Sequence, residues 1–167
     1  MLLFPEQIII MYYPQLLLLI GLLLASAFFS ASESALISVS KSKVDELVAK
    51  RVPNSRLLRR LKQNPHRLLI TVLVGSNVAN TWASAVAAVV FTEIFDSNGI
   101  GIATGVMTFL ILVFGDITPK AFAHQYAAKF SLFVAKPIFV IQILFFPLVW
   151  FFDNIVRILR IYIISLK

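Results

Sequence analysis

The sequence predicts an all-α integral membrane protein with three transmembrane helices, a cytoplasmic helical hairpin and a membrane-hugging juxtamembrane helix. Composition is the first reason. The chain is 59% hydrophobic and holds 15 phenylalanines, and its mean hydropathy is +0.90, whereas soluble domains are about 45–50% apolar. Length is the second. Four apolar stretches, at about 15–40, 68–91, 100–118 and 132–152, each supply roughly the 20 residues that cross about 30 Å of hydrocarbon. Charge is the third. Residues 41–67 carry nine Lys and Arg against two acids, a net +7 that equals the charge of the whole 167-residue chain, so everything outside this block sums to zero.

The elements follow in order. Residues 1–14, containing "PEQIIIMYYP", read as an interfacial lead-in: Pro5, Glu6 and Pro14 suit no secretory signal, and Tyr12 and Tyr13 suit headgroup level. Residues 15–167 then form one transmembrane domain. Lys and Arg favour the cytoplasmic side, so the first span (15–40) runs inward to the basic block, and the N-terminus lies outside. Within 41–67 the pairs Lys41/Asp45 and Glu46/Lys50 have helical i,i+4 spacing. Pro53-Asn54 breaks that helix, Leu57, Leu58 and Leu61 give the next one an apolar face, and Asn64-Pro65 closes the hairpin. The second span (68–91) returns outward to "TEIFDSNG", which has no Lys or Arg, and the third (100–118) comes back to end at "TPK".

The fourth stretch differs. A crossing would leave Arg157, Arg160 and Lys167 outside, and the stretch holds Lys136-Pro137 and Pro147. Residues 119–162 therefore read as a broken belt helix on the cytoplasmic side, with the C-terminus also cytoplasmic; the competing reading is a fourth crossing. The expected location is the plasma membrane.

Several functions are excluded. With no cysteine, disulfides and thiolate metal sites are absent. His66 and His124 lack ligand spacing, and no Ser/His or Ser/Lys pair at matched depth or HExxH motif suggests an enzyme. The basic block has no interleaved aromatics, so its expected partner is anionic lipid and not nucleic acid.

Polar residues inside the spans carry the function. In "FFSASESAL" and just before it, Ser26, Ser30 and Ser34 recur at i, i+4 and i+8, with Glu33 on the same face. In "VGSNVANTWASA", Asn77, Asn80 and Ser84 recur at i, i+3 and i+7. At about 1.5 Å per residue Ser30 lies about 16 Å above Lys41 and Asn77 about 15 Å above Arg67, so the levels match. In "FGDITPK", Pro119 has no N–H, which leaves the Gly115 carbonyl without its helical partner, four residues on. Asp116 lies beside it. Bare carbonyls at membrane depth face a cavity or an ion. Serine hydroxyls also serve as helix glue, and Gly101 and Gly105 form a small-xxx-small pair suited to packing within one subunit or to a dimer contact. Every candidate ligand is an oxygen, which points to a hard cation and leaves Mg²⁺ and Na⁺ undistinguished.

The three motifs, in this order and with a basic helical loop after the first, resemble the membrane domain of the CorC/CNNM (cyclin M) family over residues 15–162. The resemblance implies a magnesium transporter, with Na⁺ entry driving Mg²⁺ export, and a homodimer of subunits with three crossings and a belt helix. It implies Mg²⁺ ligands at Ser30, Ser34, Asn77, Asn80 and the Gly115 carbonyl. It gives Glu33, Asp116 and Ser26 the role of negative field or Na⁺ contacts. Two departures stand out. The family's third motif usually has glutamate where this chain has Asp116. Its members also continue into cytoplasmic CBS domains that bind ATP, and no such pair is read in the sequence up to Lys167. A Mg²⁺ sensor that regulates other transporters is the alternative to transport.

Overall fold

The computed structural model describes residues 5–148, 150, 151, 154 and 155. Among them every regular element is helical: α1 (Pro5–Ser38), α2 (Lys41–Ala49), α3 (Ser55–Gln63), α4 (Pro65–Phe95), a 3₁₀ turn (Asp96–Asn98), α5 (Gly99–Leu110), a π-helical segment (Ile111–Ile117), α6 (Thr118–Gln125) and α7 (Ala127–Leu144). Among the described residues four stretches are long and apolar enough to cross a membrane: Tyr12–Ser38, Pro65–Phe95, Gly99–Gln125 and Ala127–Leu144. The last is the shortest, 18 residues against 27 or more in the others.

Boundaries shift from those expected. The lead-in is helical from Pro5 and runs on into the first span with Pro14 inside it. The third apolar helical stretch continues past Pro119 to Gln125, and the chain from Lys120 onward belongs to the second compact unit. Tyr126, at φ −110 and ψ 31, separates the two helices. Arg157, Arg160 and Lys167 lie outside the described residues.

The chain divides into two compact units, one made of α1 as far as Ser30 with Gly75–Pro119, the other of Ala31–Val74 with the chain from Lys120 onward. The first unit packs around small side chains. Leu19, Ala83, Ala87, Ala103 and Met107 are buried together, so α1, α4 and α5 meet largely through alanine. In lipid, where apolar burial gives no drive of its own, close backbone approach through small residues is what holds helices together. Phe29 uses the same device: its ring lies where a side chain on Gly75 would be, 2.4 Å from that virtual Cβ. The outer faces are apolar, with Leu24, Trp82 and Phe109 all more than 60% exposed.

The second unit is built on the hairpin. Ser40 caps α2 by accepting the Lys43 N–H at 3.2 Å. Glu46 bonds Lys50 at 2.7 Å, as the spacing predicts, and also Lys43 at 2.8 Å. Those two ammonium groups push its carboxyl down to about 2. The turn uses left-handed backbone at Arg51 (φ 54) and Asn54 (φ 64). Asn54 suits that conformation, and its Nδ2 donates to the Leu132 carbonyl at 3.1 Å. α3 buries Leu58 and Leu61, α7 buries Val134, Ala135 and Ile138, and Arg60 stacks over Phe139 at 5.1 Å. α7 is therefore tied to the basic hairpin along its length.

Candidate cation site

The first unit places four of the sequence-predicted residues together. Ser26 and Ser30 of α1 are buried. The Ser26 hydroxyl points at the Gly115 carbonyl, 3.4 Å away. The Ser30 hydroxyl donates to Asp116 Oδ1 at 2.8 Å. Glycine at 115 keeps this approach uncrowded, since a Cβ there would stand 3.0 Å from Ser26 Oγ, tighter than ordinary contact.

The backbone at this point is π-helical over Ile111–Ile117, and the Thr118 N–H bonds the Val113 carbonyl, five residues back. A π segment widens one turn, and such turns recur at functional sites. It ends at a proline for a simple reason. In α register position 119 would donate to Gly115, in π register to Phe114, and Pro119 has no N–H for either. The sequence shows the missing donor; it does not show the change of register.

Hydroxyls elsewhere behave differently. Thr71, Thr92 and Thr104 each bond the carbonyl four residues back, at 2.8, 2.7 and 2.8 Å. They serve their own helices. Ser26 and Ser30 reach instead to a segment nearly 90 positions away in the chain.

The asparagines split. Asn77 is exposed and Asn80 half-buried. Asn80 Oδ1 is itself buried with no hydrogen-bond partner. A buried amide oxygen left unpaired costs about 1–3 kcal/mol, unless a cation or a polar ligand takes it.

The second unit holds the remaining residues. Ser34 Oγ donates to the Lys120 carbonyl at 2.9 Å, and Glu33 forms an ion pair with the Lys120 ammonium at 3.3 Å. Glu33, Ser34, Ser38 and Lys120 line an open cavity of about 260 Å³. Lys120 was missed in the sequence as a site residue because, next to Pro119, it looks like any basic flank at a span's end. Its signal was a lysine directly after a helix break, with a carboxylate at similar depth on α1.

Two hydroxyls, a carbonyl and a carboxylate of the first unit are thus joined by hydrogen bonds, and the same unit holds two buried amide oxygens without a partner, those of Gln15 and Asn80. Among the described residues no three His, Cys, Asp or Glu gather as a metal cluster. The set is hard and mostly neutral, which suits cations that take oxygen ligands and do not bind tightly through several charges.

These features define an integral membrane protein with a polar seam inside its helical bundle. The chain belongs to the CNNM family: the model of the cyclin M transmembrane N-terminal domain matches residues 17–164. It is 35% identical over 137 residues to UPF0053 inner membrane protein YfjD of Escherichia coli K12, covering 80% of this chain and 31% of that protein. A UPF0053 protein of Haemophilus influenzae is 36% identical over 134 residues, 80% of this chain and 32% of the relative. A protein of the same organism named polyamine export protein is 28% identical over 156 residues, 86% of this chain and 36% of the relative. The chain thus spans about a third of the length of these relatives.

Proposed function

We propose that this domain carries Mg²⁺ across the membrane, with Na⁺ as the coupling ion and export as the direction. The observation that carries the reading is the pair of α1 serines bonded to the π-helical break at Gly115 and Asp116. On Mg²⁺ entry the Ser30 hydroxyl rotates, so that a lone pair replaces its O–H toward the seam, and the Gly115 carbonyl and Asn80 Oδ1 join it as ligands. Ser34 and Asn77 extend the ligand set along the path. Glu33, Asp116 and Ser26 provide the field and the Na⁺ contacts.

The reading has three crossings per subunit. α7 packs against the hairpin that joins the first two spans, which supports a belt beside that hairpin and not a fourth crossing. The basic hairpin and C-terminus then face the cytoplasm of a plasma membrane and the N-terminus faces outside. Cysteines placed singly at Asn54 and Lys167 should label from one side, and one at Asn98 from the other. A homodimer fits as well. Among the described residues, a Cβ on Gly101 or Gly105 would meet nothing within 4 Å, so this small pair is open to a second copy.

Purified protein in proteoliposomes tests the function. Mg²⁺ flux that rises with an opposing Na⁺ gradient is the expected result. Saturable Mg²⁺ binding without flux would replace transport by sensing. A second cargo has its own support. The Lys120 ammonium already sits on Glu33, so this carboxylate accepts an alkylammonium, and one relative is named a polyamine export protein. Spermidine uptake in the same vesicles, competing with Mg²⁺, would favour that cargo.

A further inference from the structure

Two cavities of the second unit meet at one lysine, and their linings differ in kind. The first, about 400 Å³, is lined by Lys41, Arg59 and Lys62 with a single acid, Asp45. The second, about 260 Å³, is mostly apolar, lined by Leu36 and Ile37 at the end of α1 and by Leu68, Leu69 and Val72 at the start of α4, with one acid, Glu33, whose charge is paired with Lys120. Lys62 and Pro65 line both. A cationic cleft therefore opens beside an apolar groove, at the point where one membrane-length helix ends and the next begins. That junction is where a bilayer changes from headgroup to hydrocarbon.

Lys62 is fixed in place. Its ammonium donates to the Leu36 carbonyl at 2.8 Å and to the Val39 carbonyl. Leu36 lies in the last turn of α1 and Val39 just beyond it, where helix-end carbonyls run out of helical donors. An ammonium has three donors, so one is left to face the cleft. Burial, and then the charge of Lys41, hold the Lys62 pKa below its ordinary value. Two cations brought together in a partly dry cleft are a cost that an anion would relieve.

We infer that this paired cleft and groove is a binding site for one anionic phospholipid, its phosphate held by Lys41, Arg59 and Lys62 and an acyl chain lying along Ile37, Leu69 and Val72. A soluble phosphate would use the cleft and leave the groove empty. A zwitterionic lipid would bring its own ammonium into a site that is already cationic. The occupant that matches both halves is a lipid with net negative charge.

The test is native mass spectrometry of the purified protein in detergent, titrated with phosphatidylglycerol or phosphatidylcholine. Phosphatidylglycerol should be retained at one per chain and phosphatidylcholine should not. Lys41→Gln with Arg59→Gln should weaken retention about thirtyfold, since each basic group near the surface contributes about a fivefold factor. Lys50→Gln with Arg56→Gln removes the same charge elsewhere on the hairpin and should change little. Leu69→Trp, or Ile37→Trp at a more exposed position should the first fail to fold, should also weaken it by blocking the groove. Equal losses in the two double variants would mean diffuse surface attraction and overturn the site. Displacement by glycerol phosphate as effective as by phosphatidylglycerol, or no effect of either tryptophan, would mean a soluble-anion cleft and overturn it too.

Discussion

Successive turns of α1 settle their polar groups in two ways. Ser26 and Ser30 address a carbonyl and a carboxylate of the π-helical segment through neutral hydroxyls. One turn on, Glu33 holds a lysine ammonium and Ser34 a lysine carbonyl. The first arrangement keeps several oxygens close together at little electrostatic cost, which suits a site that must strip water from a cation and then release it. The second places a tethered cation on a carboxylate, and any incoming ion must compete with it there. The hairpin shows what the same chemistry does in water, where Glu46 bonds two lysines on an exposed surface.

The largest effect is expected at Asn80. Asn80→Ala should lower Mg²⁺ affinity at least tenfold, about 1.4 kcal/mol, by calorimetric titration. Stability without ion should hold or rise, because an unpaired buried oxygen has been removed. A loss of stability with normal affinity would make this residue helix glue.

Pro119→Ala comes next. Restoring an N–H at 119 lets the backbone bond Phe114 or Gly115, depending on register. Mg²⁺ affinity should fall about fivefold, roughly 1 kcal/mol, while the ion-free melting temperature holds or rises. An unchanged affinity would leave the proline as a mere breaker.

Glu33→Gln sharpens the other half of the comparison. The pair with Lys120 is partly exposed, so stability should change by less than about 1 kcal/mol. Flux should fall about threefold at equal protein, a modest effect set by the usual cost of altering an intramembrane charge. Normal flux would return Glu33 to an interfacial role.

The smallest effect belongs to Glu46. Its carboxyl is lowered from 4.5 to about 2 by Lys43 and Lys50. The hairpin's stabilisation from this group is therefore present above pH 4.5 and is lost as pH falls toward 2. Amide exchange in α2 should rise over that window, and Glu46→Gln should flatten the rise.

Much of the fold was legible because its signals are local. Hydropathy marks the spans, charge marks the hairpin, and Pro53-Asn54 marks its turn. The serine spacing on α1 was legible for the same reason, since a helix puts i and i+4 on one face. What was not legible depends on a second helix. Nothing in "FGDITPK" by itself states that the backbone there takes a π register, or that Lys120 pairs with Glu33. Asn77 and Asn80 look equivalent by spacing, yet only packing makes one exposed and leaves the other's oxygen buried. The short fourth helix is long enough to span by composition, and its attachment to the hairpin, through Arg60 over Phe139 and Asn54 on the Leu132 carbonyl, is a property of tertiary structure.

In the proposed function the α1 serines serve an ion, whereas Thr71, Thr92 and Thr104 serve only their own helices. The direct measurement is the rise in melting temperature that Mg²⁺ gives the wild type, Ser30→Ala and Thr104→Ala. Thr104→Ala removes a hydroxyl bonded to Ile100 of its own helix and should keep the full Mg²⁺ increment. Ser30→Ala removes the hydroxyl that bonds Asp116 and should lose most of it. Equal increments in the two variants would contradict the account.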